Sequence, residues 1–228
     1  MSTLAITIIP SILILLYFFL SDKFKEPKGT VALVFFLGVL ICLPVGILNS
    51  FIYENYNNNS ENIKRLLASY LGPAWTEEIL KLFILYAIVL KRKEFNEPMD
   101  GIVYGVAVSL GFATYENYDY VYRLSQEWAE YGITSQDIAI WRSYTAVPMH
   151  GLNGCLMGFY LGKYSFTGSN KFLILSFIVP FLIHGTYNYF IQFGVLIVIL
   201  QLIYSLKLHR ELKKLQLHKK KEPENKKI

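Results

Sequence analysis

Seven stretches dominated by apolar residues, at 4–20, 30–52, 66–90, 101–118, 143–162, 171–190 and 192–207, take up most of the chain and leave only short polar joins between them. Each is close to the length that an α-helix needs to cross about 30 Å of hydrocarbon. Lipid offers no partner for an open backbone N–H or C=O, so continuous apolar runs of this length resolve into spanning helices. The pattern predicts an all-α, polytopic transmembrane bundle of about seven spans. Composition agrees, since 54% of the 228 residues are hydrophobic and 17% charged, too apolar for a soluble domain of this size. We divide the chain into a membrane domain at 1–207 and a basic cytoplasmic tail at 208–228.

The first stretch is read as a retained span and not as a secretory signal. Met1 to Ile6 carries no Lys or Arg, and no small-residue cleavage site precedes the charged run after Leu20. Cys42 and Cys155 both lie inside apolar runs, where they act as small buried hydrophobes and not as a disulfide framework.

Orientation follows from the basic residues. The joins at 21–29, 91–99 and 163–171 and the tail from Lys207 hold 17 Lys and Arg, against 4 on the other side: Lys64, Arg65, Arg123 and Arg142. Basic residues stay on the cytoplasmic face, which places the C-terminus inside and, with an odd number of spans, the N-terminus outside. The LysLysLys run at 219–221 is read as a contact for anionic lipid; no nucleic-acid partner is expected.

Two further patterns bear on packing. Gly154, Gly158 and Gly162 recur every fourth residue, as do Gly101 and Gly105, which marks close helix contacts and turns His150, on the same row, toward protein. The outer connection 119–141 interleaves Tyr120, Tyr122, Leu124, Trp128, Tyr131, Ile138 and Ile140 with Glu and Gln, which suits an amphipathic segment at the interface or over a site.

Ionisable side chains inside hydrocarbon are costly enough that each one needs a reason. The third run carries Glu77, Glu78 and Lys81, the fourth Glu116, the fifth His150, and the sixth His184 and Asn188. Helical spacing lets Lys81 pair with one of the two glutamates and leave the other free to act; it also puts Phe112 with Glu116, and His184 with Asn188, on shared faces. Counted along the helices, these groups fall in the outer half of the membrane. Pro73, Pro148 and Pro180 precede Glu77, His150 and His184 by four, two and four residues, and proline frees a carbonyl one turn back that then needs a cavity or a partner.

This set suits peptide hydrolysis. A glutamate activates water, a histidine orients it and moves the proton, and an asparagine amide steadies the oxyanion. The HExxH motif is absent, no two histidines share a helix at ligand spacing, and Lys81 opposes a dication, so a metal-free mechanism is preferred. A zinc ion, with Glu78, His150 and His184 as its ligands, remains compatible.

The run Glu77-Glu78-Ile79-Leu80-Lys81 has the form EExxK, AspGlyIleValTyrGly at 100–105 leads into GlyPheAlaThrTyrGluAsn at 111–117 with its FxxxE, and His150 and the HxxxN of His184 to Asn188 follow in order. These motifs resemble those of the PrsW family of membrane proteases, distant relatives of the CAAX prenyl endoproteases. The resemblance covers about 66–190. It implies an endopeptidase in which Glu77, Glu78, Glu116, His150, His184 and Asn188 are catalytic, with Lys81 and Phe112 in support. It also implies substrates that are membrane-anchored proteins, such as single-span anti-sigma factors, cut near the extracytoplasmic side. CAAX enzymes carry Arg after the motif lysine and His at the second motif, where Leu82 and Glu116 stand here, so prenylated substrates are not expected. Two other classes use the same residues: a non-catalytic membrane scaffold, and a proton-coupled transporter, which would show inverted repeats that this sequence lacks.

Overall fold

The computed structural model describes residues 2–55 and 60–219. Among them there is no strand. Ten α-helices follow in order: α1 (Thr3–Ser21), α2 (Lys28–Leu40), α3 (Cys42–Glu54), α4 (Glu61–Ser69), α5 (Trp75–Ile84), α6 (Pro98–Tyr122), α7 (Ser135–Tyr144), α8 (Ala146–Thr167), α9 (Asn170–Tyr189) and α10 (Gly194–Lys219). Helix α10 runs unbroken through 207, so no break separates the membrane domain from the start of the basic tail. Residues 220–228 lie outside the described residues, and with them Lys220 and Lys221 of the LysLysLys run.

Among the described residues, four segments are long and apolar enough to cross a membrane, namely Thr3–Ser21, Lys28–Glu54, Asn170–Tyr189 and Ile191–Gln216. Their polarity is inverted relative to a soluble protein. On α1, Thr7 and Ser11 are fully buried while Leu13 and Leu20 are 60% and 64% exposed, and Phe36, Ile47, Ile174 and Ile203 likewise face outward. An apolar outer surface of this extent is one that lipid covers, and the chain is a multi-pass membrane protein.

Helices α6 and α8 fall outside that group for a physical reason. They form the centre of the bundle, and most of their side chains are buried by protein, so glycine, asparagine and histidine are tolerated where lipid would demand leucine. The two glycine rows face each other. A Cβ on Gly158 would fall on the Gly101 carbonyl, and one on Gly105 on that of Gly154, so the backbones touch where only hydrogen fits. Around this pair Phe18, Met99, Ile102, Val106, Leu110, Leu156 and Phe159 make one apolar cluster, and Val34, Leu85, Val103, Tyr104, Val108 and Met157 another.

The second and third apolar runs are not single straight helices. The second breaks at Ile41 between α2 and α3, where Pro44 can neither bond nor clear the carbonyl of Leu40 four residues back. The third is interrupted by π-type stretches at Tyr70–Ala74 and Leu85–Val89, the first containing Pro73 and a non-helical Gly72. The amphipathic connection becomes a 3₁₀ segment, Leu124–Tyr131, followed by α7, which opens with a reciprocal Thr134–Asp137 cap. The Thr134 hydroxyl and amide, donating to Asp137, hold its carboxyl below the usual range. Cys42 and Cys155 are both free thiols.

Candidate functional site

The kink at 70–74 sets the direction of the first turn of α5. Thr76 Oγ1 lies 2.9 Å from the Gly72 carbonyl and 2.7 Å from Asn49 Oδ1 of α3, so its one proton is shared between the kink and α3. Tyr70 packs over Gly185 of α9, and its hydroxyl is 2.9 Å from Thr186 Oγ1. Glu77 and Glu78 therefore come off α5 facing His184 of α9. From the other side, Thr145 ends α7 in a non-helical conformation, and Pro148 in the first turn of α8 is followed by His150.

These elements bring four side chains together. One ligating atom each from Glu77, Glu78, His150 and His184 lies within 4.8 Å of the others, and all four residues are buried. Lys81 sits among them and touches both glutamates, at 3.3 Å for Glu77 Oε2 and 2.9 Å for Glu78 Oε1, where the spacing alone suggested it would leave one free. Its ammonium also lies 3.2 Å from His150 Nδ1 and 4.3 Å over the Phe112 ring. His184 Nδ1 is 2.9 Å from Glu78 Oε1 and 3.9 Å from Glu77 Oε2.

The tautomer of His150 follows from its neighbours. An ammonium can only donate, so Nδ1 accepts, and Nε2 carries the proton that Glu116 Oε2 receives at 3.0 Å. Glu116 thus acts through His150 and does not join the four-residue cluster. The same oxygen accepts from Arg142 Nη2 at 2.7 Å, while Arg142 Nε donates to Asn117 Oδ1 at 2.9 Å and the guanidinium stacks on Tyr120 at 3.9 Å. Arg142 entered the sequence reading only as one of the outer basic residues. Its signal was its place between an amphipathic segment and the proline-marked start of the His150 helix.

A cavity of about 860 Å³ opens above the cluster, lined by His150, His184, Glu116 and Asn188 with Trp128, Trp141, Tyr53 and Tyr187. Glu77 and Glu78 are absent from its wall. They lie behind the imidazoles, with Glu78 fully sealed and Glu77 2% exposed. Asn188 stands on the wall one turn beyond His184. The 3₁₀ segment and α7 form one side of the cavity, so the amphipathic connection does lie over the site.

The site's donors suit a metal ion. Two imidazoles and two carboxylates are a zinc-type set, and Glu78 Oε2 is sealed from solvent with no hydrogen-bond partner. His150 has the arrangement that ligating histidines show, one nitrogen toward the cluster and the other N–H held by a carboxylate. The Lys81 ammonium competes for that position.

The sequence model of a family described as "PrsW family intramembrane metalloprotease" matches residues 26–208. A Bacillus subtilis protein named Protease PrsW is 39% identical over 188 residues, covering 80% of this chain and 79% of the relative. Proteins of the same name from Oceanobacillus iheyensis and Geobacillus kaustophilus are 34% and 35% identical, over 84% and 82% of this chain and 84% and 79% of their own. No solved structure matches the chain.

Proposed function

Because the chain belongs to the PrsW family of intramembrane proteases, we propose that it cuts single-span, membrane-anchored proteins near the extracytoplasmic surface, anti-sigma-factor-like substrates among them. The observation that carries this is the cavity with two histidines on its wall and two glutamates directly behind them. All seven apolar runs cross the membrane in this reading, with the N-terminus outside and the C-terminus in the cytoplasm. Two features support that orientation: the basic joins gather at one end of the bundle, and the cavity is lined by residues around 53, 65–73, 116–149 and 184–191, at the other end.

The family's metal would be held by Glu78, His150 and His184, and when bound it supplies Lewis acidity. The remaining steps belong to the chain. The aromatic wall of Trp128, Trp141 and Tyr187 takes up the unwound substrate segment and excludes bulk water. Glu77, the less sealed of the pair, takes the proton of the attacking water and delivers it to the leaving amide nitrogen as the C–N bond breaks. Asn188 donates to the carbonyl oxygen as it gains charge. Glu116 holds the His150 ring through Nε2–H, and Arg142 holds Glu116.

A second reading, hydrolysis without metal, rests on Lys81, whose ammonium fills the cation position between both glutamates and His150. A chelator separates the two. With purified protein in lipid and a single-span substrate, o-phenanthroline is expected to take cleavage to background and zinc to restore it; cleavage that persists selects the metal-free mechanism.

The Arg142 buttress has its own test. Arg142→Gln removes the 2.7 Å contact to Glu116, and turnover is expected to fall roughly 10-fold, within the 10–100-fold range for partners of ligating residues. Arg142→Lys recovers part of it. A kcat unchanged in Arg142→Gln would mean that the His150 ring needs no such support.

A further inference from the structure

At the basic end of the bundle, remote from the cavity, Asp22 and Glu26 in the turn between α1 and α2 meet Asp100 in the first turn of α6. One oxygen from each lies within 4.8 Å of the others. The three residues are 1%, 5% and 0% exposed. Some of their oxygens have donors. Gln216 Nε2 and the Phe24 amide reach Asp22 Oδ1 at 2.7 and 3.1 Å, the amides of Asn96 and Glu97 reach Asp100 Oδ2 at 2.7 and 2.8 Å, and the Tyr104 hydroxyl reaches Glu26.

Asp22 Oδ2 and Asp100 Oδ1 have none, although both are sealed from solvent. Lys23, Lys25 and Arg92, at the same end of the bundle, reach other groups. Lys23 Nζ bonds the Gln216 carbonyl at 3.3 Å, Lys25 Nζ the carbonyls of Leu20 and Asp22, and Arg92 lies 3.7 Å from Glu94. Among the described residues, no Lys, Arg or His ion pair reaches Asp22, Glu26 or Asp100. Burial and mutual repulsion push the Glu26 and Asp100 carboxyls above their usual range, so this pair, in side-chain contact, takes up a proton or a cation.

We propose that Asp22, Glu26 and Asp100 bind a hard divalent cation of calcium size, separate from the catalytic centre. The donors are all oxygen, which selects hard ions over zinc. Mg²⁺ keeps several of its waters and is seldom held by an all-protein cage, whereas Ca²⁺ takes carboxylate oxygens in flexible geometry, so three sealed carboxylates with oxygens within 4.8 Å of one another suit calcium better. The ion fastens the α1–α2 turn to the start of α6 and, through Gln216 on Asp22, to the end of α10.

Full-length protein in lipid nanodiscs is melted in EGTA, in millimolar Ca²⁺ and in millimolar Mg²⁺, and Mn²⁺ binding is counted by electron paramagnetic resonance. Calcium is expected to raise the melting temperature by about 5 °C, magnesium by less. Glu26→Gln and Asp22→Asn abolish the rise and remove one Mn²⁺, while Glu78→Gln, a change at the catalytic centre, keeps the rise. A rise lost in Glu78→Gln and kept in Glu26→Gln assigns the ion to the catalytic centre and overturns the proposal. So does a native protein that ignores calcium while Glu26→Gln melts higher, the signature of a proton shared between carboxyls. Should the substituted proteins fail to fold, the native protein decides: no calcium response and no Mn²⁺ beyond the catalytic centre rejects the site.

Discussion

Replacing Glu77 by Gln is expected to lower peptide cleavage by about 100- to 10,000-fold, the range for loss of a general base, while the protein folds and melts as the native one does. The amide keeps the shape of the carboxylate, and its oxygen still accepts from Lys81 across 3.3 Å, so the packing between α5 and α9 has no reason to change. What is lost is the ability to take a proton from water. Glu78→Gln is the contrasting case. Glu78 lies 2.9 Å from both Lys81 and His184, and removing the charge from a fully buried partner of an ammonium costs about 3 kcal/mol or more, so this protein is expected to melt lower as well as lose activity. The two are compared by melting in detergent and by cleavage of a single-span substrate in lipid. Native turnover in a well-folded Glu77→Gln protein would remove Glu77 from the chemistry and favour the scaffold reading.

The candidate cluster was legible because ionisable residues are rare inside apolar runs. Glu77, Glu78, His150 and His184 stand out against leucine and phenylalanine, and helical spacing brought Lys81 to the pair. The same spacing cannot show what arrives from another helix. The metal-free preference leaned on no two histidines sharing a helix, yet α8 and α9 deliver one each to the same point, and the family's description is of metalloproteases. Spacing along one helix therefore carried no weight against a metal. The glutamates also proved to lie behind the histidines and not on the cavity wall, a matter of depth between helices that no linear pattern encodes.

Residues in polar joins were legible only as charge. Arg142 and the carboxylates of Asp22, Glu26 and Asp100 fall where acidic and basic residues are ordinary, and the burial of the three carboxylates, like the contact of Arg142 with Glu116, is a tertiary fact. Helix breaks were half legible. Pro73 announces the kink that aims Glu77, and Pro44 accounts for the break at Ile41, which the apolar run from 30 to 52 concealed. Nothing comparable marks the π-type stretch at Leu85–Val89, which contains neither proline nor glycine.

Gly158→Val tests how far the site depends on the touching backbones of α6 and α8. A Cβ at this position collides with the carbonyl oxygen and carbon of Gly101 and with Ile102 Cα, all backbone atoms with no rotamer to turn away. Relief comes only by moving two central helices apart, and overpacking of this kind costs about 3 kcal/mol or more. The displacement also reaches the site, since His150 and Glu116 lie on these two helices and their bond is 3.0 Å long. The expected result is a protein that either fails to fold or melts well below the native one, with cleavage lost in parallel. Gly46→Ala is the control: nothing lies within 4 Å of its Cβ, and replacing glycine by alanine inside a helix is worth up to about 1 kcal/mol in its favour. If Gly158→Val melted and cleaved like Gly46→Ala, the close approach of α6 and α8 would not be what holds His150 against Glu116, and the site's geometry would have to be held from α7 and α9 alone.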